Sequence, residues 1–311
     1  MLSVRFLTFG VVTPSMLTRR NLLITGSLAA AKLAFPHHSQ AQPAYRFRNL
    51  PASFEAIERS KHCRLGVAVL DTGSGEHAGH REDERFPMCS TFKLLLAAAV
   101  LQRVDTGREH LDRNIAVPAK PLLFNSPLTE EHAGAEMTVS ALCNAILTRS
   151  DNTAANLLLI TIGGPDGITR FARSIGDNVT RLDRTETSLN ESLPGDPRDT
   201  TSPSAMTGNL QTLLLGNVLA PVSRDQLTQW TIANETGKTR LRANLPASWR
   251  AGDKTGSNGE TTTNDIAILW PPHQPPVLIS AYLTECPGTE DKRNGIIAEV
   301  GQTVFAALQS V

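Results

Sequence analysis

The sequence predicts an α/β (α+β) chain: an antiparallel sheet covered by terminal helices, with an all-helical segment inserted between its strands. Three observations carry this. Strand-like runs stand at both ends, Leu65–Asp71 near the start and 251–257, 264–270 and 277–285 near the finish. Between them, residues 136–230 alternate helical runs with loops, and a long polar loop at about 181–202 interrupts the series. The closing stretch, 289–309, puts Ile296, Ile297, Val300, Val304, Phe305 and Leu308 on one helical face.

The remaining elements follow in order. Residues 49–60 read as a first helix, with Pro51 and Ser53 near its start. Leu65–Asp71 is a short apolar strand closed by the turn signal Thr72-Gly73-Ser74-Gly75. From Thr91 to about Val104 apolar residues are dense enough for a buried helix. No internal repeat or low-complexity tract is present.

Composition narrows the function classes. The 311 residues carry 30 Lys+Arg against 30 Asp+Glu, without the basic excess of a dedicated nucleic-acid binder. Four cysteines in a chain this long make no disulfide framework, and no CxxC pair marks a structural zinc. No apolar run reaches the roughly 18 residues that a membrane span needs. His77 and His80 form H-x-x-H, without the acidic residue and third histidine of a catalytic zinc site. A soluble enzyme is expected.

Residues 1–41 hold Arg5, Arg19, Arg20 and Lys32 and no acid. Arg19-Arg20 precedes a mild apolar run, Leu22 to Ala31, and Ser39-Gln40-Ala41 offers small residues at a cleavage point. This reads as an export signal of twin-arginine type, the alternative being an ordinary secretory signal with two incidental arginines. The run before the arginines is long for such a signal, which makes Met16 an alternative start. Removal at Ala41 takes away bases only, leaving a mildly acidic product expected in the periplasm with no stable membrane association.

Three short motifs carry chemistry. In Ser90-Thr91-Phe92-Lys93, at the start of the apolar helix, the Lys93 amine lies almost one turn from the Ser90 hydroxyl and on the same face. A buried amine beside a serine can take or share its proton and make the serine a nucleophile. The plainer reading is a helix cap followed by a surface lysine. Ser150-Asp151-Asn152 joins two helical runs and offers a hydroxyl for proton relay and an amide to hold a neighbour; otherwise it is an N-cap. Lys254-Thr255-Gly256 lies on a strand, where Lys and Thr can hold an anionic group and Gly admits a close backbone or ligand. Its plainer reading is a strand end with a bulge.

The order SxxK, SDN, KTG resembles the penicillin-recognising serine enzymes, specifically class A β-lactamases, for which this motif set is known. The resemblance extends over nearly the whole chain after the signal. Glu186, Leu189 and Asn190 match the ExxLN motif of that family's omega-shaped loop; the alternative is a solvated surface loop. The resemblance implies a five-stranded sheet in a discontinuous α/β domain, 42–87 with 233–311, and a helical domain, 88–232. It implies Ser90, Lys93, Ser150 and Glu186 as catalytic residues, and Asn152, Asn190, Lys254, Thr255, Gly256, Ser257 and Arg240 as substrate-binding ones. Ser90 would be acylated by a β-lactam, with Lys93, or Glu186 through water, taking its proton. The backbone N–H groups of Ser90 and Ser257 would form the oxyanion hole, and Glu186 would activate the deacylating water. Arg240 would support carboxylate binding, or is otherwise a surface arginine. No metal or cofactor is implied, and a monomer is expected.

Rivals within the superfamily are a penicillin-binding D,D-peptidase, which lacks a deacylating base, and a β-lactam sensor domain, which stays acylated. Glu186 with Asn190 counts against the first, and the absence of an apolar span against both.

Some positions depart from the family pattern. Asn125 stands where a tyrosine often walls the site, and Phe124 is expected to substitute in part. Thr187 replaces the usual proline after the glutamate, where a cis bond would cost about 2.5–4 kcal/mol. Asn258 stands where small residues are common. Cys89 and Cys143 lack their family partners and are expected to be free, buried thiols. The family fold makes the strands after Cys63 and before Cys286 antiparallel neighbours, which puts these two within bridging range. Arg184 and Asp199 match the ion pair that closes the neck of the loop.

Overall fold

The computed structural model describes residues 45–309; the expected export signal lies outside them. Helix α1 spans Leu50–Lys61 and begins with proline in its first turn, where a missing N–H costs nothing. It leads into strand β1, Arg64–Asp71, and strand β2, His77–His80. The last three strands are β3, Arg250–Ser257, β4, Thr263–Trp270, and β5, Val277–Thr284. All five join one antiparallel sheet in the order β2-β1-β5-β4-β3. The expected strands are found to within a residue or so. Within this five-stranded sheet, β2 is the strand that the residue pattern missed: His-Ala-Gly-His has neither β-branched residues nor clean alternation.

Alternation along β4 and β5 gives the sheet two apolar faces. Ala267, Leu269, Val277, Ile279, Ala281 and Leu283 pack with α1 and the long closing helix Glu290–Gln309. Ile266, Ile268, Leu278 and Tyr282 face the other way, into the core built by the central helices. Helix α2, Phe92–Asp105, runs through that core with every residue from Phe92 to Leu101 buried, and apart from Lys93 these are apolar on all sides of the helix. Around it stand α3, Val139–Thr148, α4, Asn152–Thr161, α5, Pro165–Ser174, α6, Pro203–Leu214, and α7, Pro221–Ile232.

Cys63 and Cys286 are bonded, with Cα atoms 4.6 Å apart. The pairing of Arg64 with Thr284 explains it, since the two cysteines flank the ends of adjacent strands. Cys89 and Cys143 are free and buried.

Candidate active site

Ser90 sits on a short 3-10 turn, Cys89–Thr91, that feeds α2. Cys89 has φ +44°, and Ser150 has φ +56°. Both are left-handed conformations that a non-glycine residue adopts at a cost of roughly 1–3 kcal/mol. Such strain, placed beside the nucleophile and on the facing turn, aims the side chains between the strand and the helices.

Lys93 is fully buried, and the surface lysine is thereby rejected. Its Nζ lies 2.9 Å from Ser90 Oγ, 2.9 Å from the Ser150 carbonyl, 2.6 Å from Asn152 Oδ1 and 2.9 Å from Glu186 Oε1. Ser90 Oγ in turn lies 3.3 Å from Glu186 Oε1. Burial holds the Lys93 amine below its ordinary value, against the pull of the adjacent Glu186. Burial, aided by Lys93, holds the Lys254 amine well below its own. Two lysines and one glutamate thus converge where nucleophile chemistry is expected.

In Ser150-Asp151-Asn152 the structural and chemical readings both hold. Asp151 caps α4 by accepting from Ala154 N, and its carboxylate also accepts from Leu128 N, Thr129 N and the Thr129 hydroxyl. That anchor fixes its neighbours. Ser150 Oγ accepts from Lys254 Nζ at 3.1 Å and stands 3.4 Å from Lys93 Nζ. Asn152 accepts from Lys93 and donates to the Phe124 carbonyl at 2.8 Å, so both ends of its amide are engaged.

Glu186 is almost completely buried, contrary to a solvated loop. Asn190 donates to its Oε2 at 2.7 Å. Asn156 grips the glutamate backbone on both sides, accepting from Glu186 N at 3.0 Å and donating to Glu186 O at 2.8 Å. The Glu186–Thr187 peptide is cis. At the loop's neck Arg184 Nε donates to Asp199 Oδ2 at 2.6 Å, and Asp199 is buried. Asp199 also accepts from the Asp183 and Arg184 N–H groups at 2.7 and 2.9 Å, and Arg184 also meets Glu191, so the neck is held by a network and not by the pair alone.

Strand β3 is an edge strand, so one side of Lys254-Thr255-Gly256-Ser257 is free of a sheet neighbour. Gly256 lets it come close to the nucleophile turn: a Cβ there would fall 2.7 Å from Met88 O and 3.2 Å from Ser90 N. Arg240 is buried and donates to Gly256 O and Asn264 O, each at 2.9 Å, and to Asn294 Oδ1 at 2.8 Å. It therefore braces β3 from behind, while a further nitrogen faces Glu290 at 3.3 Å.

Ser90, Ser150, Asn152, Asn190, Thr255 and Ser257 line one groove of about 830 Å³, with Gly256 and Arg240. Phe124, 87% exposed, and Asn125 stand on its rim. A larger hollow of about 1490 Å³, bounded by Tyr45, Trp249, Pro275 and Leu308, contains none of the motif residues.

Residues 49–308 match the model of the β-lactamase enzyme family. The chain belongs to the class A β-lactamases. It is 47% identical to β-lactamase L2 of Stenotrophomonas maltophilia, over 92% of this chain and 98% of that one. It is 41% identical to β-lactamase CTX-M-8 of Citrobacter amalonaticus, over 92% and 96% of the two chains. Among solved structures, it resembles the class A β-lactamase of the last common ancestor of Gram-negative bacteria. That match has a TM-score of 0.82 and 59% identity over 84% of this chain and all of the other. A β-lactamase from Xanthomonas campestris pv. campestris matches with the same TM-score and 51% identity, over 83% and 97%.

Every motif residue expected in this β-lactamase site is brought to the groove or directly beneath it. Two residues went unnoticed in the sequence. Asn156 follows Asn152 by four positions and so shares its helix face, a signal that was available. Thr236 belongs to no motif and is brought in by tertiary contact alone.

Proposed function

We propose that the protein hydrolyses penicillins and cephalosporins through a serine acyl-enzyme and thereby confers β-lactam resistance. The observation that carries this reading is the contact of Ser90 Oγ with both Lys93 Nζ and Glu186 Oε1, in a family that hydrolyses β-lactams. Ser90 Oγ attacks the lactam carbonyl, and its proton passes to Lys93, or to Glu186 through water. The 2.9 Å contact between these two lets Glu186 take a proton from the lysine first. The oxyanion rests on the N–H groups of Ser90 and Ser257, each worth roughly 3–4 kcal/mol. When the ring C–N bond breaks, Ser150 delivers a proton to the nitrogen, resupplied from Lys93 or Lys254. Once its proton has returned to Lys93 across their 2.9 Å contact, Glu186, with Asn190 beside it, takes a proton from the water that attacks the ester. A proton passes to Ser90 Oγ as the ester C–O bond breaks. Lys254 and Thr255 take the substrate carboxylate, Arg240 supports them by fixing β3, and Asn152 meets the acyl side chain.

Purified protein mixed with one penicillin and one cephalosporin is expected to consume many lactams per enzyme. Consumption of a single equivalent followed by a stable adduct would instead assign a penicillin-binding peptidase or a sensor.

We also infer that the protein acts in the periplasm after twin-arginine export, on the strength of Arg19-Arg20 and the acid-free leader. The double substitution Arg19→Lys with Arg20→Lys should retain folded, active enzyme in the cytoplasm. Undiminished export, measured by activity in periplasmic extracts, would assign the general secretory route.

A further inference from the structure

Thr236 lies in the segment after α7, and its hydroxyl is 2.5 Å from that of Thr255; both line the groove. Each hydroxyl has one hydrogen, so one of the two must donate in this contact. The surroundings decide which. Asn234, buried behind them, places Nδ2 2.6 Å from Asp253 Oδ2. Asp253 faces the Arg242 guanidinium at 2.7 Å, a partner for a carboxylate that accepts. On the other side of Asn234 stands the Thr236 backbone N–H, which only donates, so the amide oxygen faces Thr236 and the NH2 points toward Asp253. That turns Asn234 Oδ1 toward Thr236, where it accepts from the backbone N–H at 3.0 Å and from the hydroxyl at 2.8 Å. With its hydrogen given to Asn234, Thr236 can only accept from Thr255.

We propose that Thr236 is a positioning residue that turns the Thr255 hydroxyl hydrogen away from the groove, so that carboxylate binding must reverse both hydroxyls. A carboxylate has only acceptors, so Thr255 must swing its hydrogen outward to bind it. Thr236 must then give its own hydrogen to Thr255, or two oxygens 2.5 Å apart face each other with none between them. The hydroxyl bond to Asn234 is lost in the exchange, although the Thr236 N–H keeps Asn234 Oδ1 satisfied. Thr236 thus weakens substrate binding by about one neutral hydrogen bond. Replacing it by valine, close in shape, frees Thr255 to point outward before substrate arrives.

This rests on the reading that Lys254 and Thr255 take the carboxylate, and the test separates the two. Stopped-flow acylation gives the dissociation constant before acylation and the acylation rate, for a penicillin and for its methyl ester. For Thr236→Val the dissociation constant of the acid should fall about fivefold, the value of one such bond, with the acylation rate within twofold. The ester should bind as to wild type, and Thr236→Ser should match wild type with both. Thr255→Val should weaken the acid and spare the ester. An unchanged or weakened acid complex in Thr236→Val, with Thr255→Val still telling acid from ester, overturns the proposal and leaves the carboxylate site standing. If Thr255→Val treats acid and ester alike, the carboxylate site falls and the role of Thr236 with it.

Discussion

Glu186→Gln is expected to react with penicillin and stop there, holding a covalent adduct on Ser90 while turnover falls by about 10²–10⁴. The substitution keeps the side chain's shape and changes its chemistry. Asn156 grips the backbone of residue 186 and not its side chain, so the loop stays in place. The single amide oxygen can accept from Lys93 in place of Oε1, and Asn190, whose Oδ1 has no partner, can turn its own amide to accept from the new NH2 in place of Oε2. The glutamine cannot take a proton from water. The nucleophile and the groove are unchanged and Lys93 is still in place to take the Ser90 proton, so acylation continues, slowed only by the loss of the carboxylate that relieved the lysine of its own proton. Ser90→Ala supplies the complement, with no adduct and no hydrolysis. Intact-mass spectrometry after mixing with penicillin should find a lasting mass increase on the glutamine variant alone. Rapid turnover by Glu186→Gln would remove Glu186 from deacylation.

Much of this site was legible in the sequence because its chemistry sits in short motifs with fixed local geometry. Ser90 and Lys93 meet because a helical turn separates them, and Ser150 and Asn152 are held by the cap that Asp151 makes between them. Strands β4 and β5 were legible because each is rich in apolar positions, whereas β3, with Ala251 as its one apolar side chain, was legible from its place after Trp249 and its Lys-Thr-Gly motif. Other features depend on contacts distant in sequence and left no local trace. Strand β2 forms because β1 offers it a partner, despite its own residues. Thr236 reaches the groove because Asn234 is bound to Asp253 on the edge strand, and nothing in the local sequence signals that bond. Arg240 could be placed near the carboxylate site by resemblance. Its bonds to Gly256 O and Asn264 O, which make it a brace for β3, emerge only from the fold.

Lys93→Ala is expected to slow acylation by about 10²–10⁴, the contribution of a well-placed general base. Lys93 has more acceptors than protons around it: Ser90, Ser150, Asn152 and Glu186 all lie within 3.4 Å of its Nζ. An ammonium suits that shell, yet burial disfavours its charge, and this opposition leaves the proton transferable. The stability change should be smaller than the kinetic one. Alanine strands Asn152 Oδ1, at about 1–3 kcal/mol, and takes the cation from Glu186 Oε1, while the Ser150 carbonyl keeps the Asn125 amide at 3.0 Å; it also removes the cost of burying the amine. Thermal melts should thus find a folded protein. The neutral amine is the competent base, so wild-type acylation should decline as pH falls through the Lys93 pKa and level off above it. That part of the decline should vanish in Lys93→Ala. Stopped-flow acylation of both variants then separates the two bases. A loss below tenfold in Lys93→Ala, joined by slow acylation in Glu186→Gln, would assign the Ser90 proton to Glu186 through water. A large loss in both would mean that lysine and glutamate act as one unit, as the 2.9 Å contact between them suggests, and their separate costs would then not add.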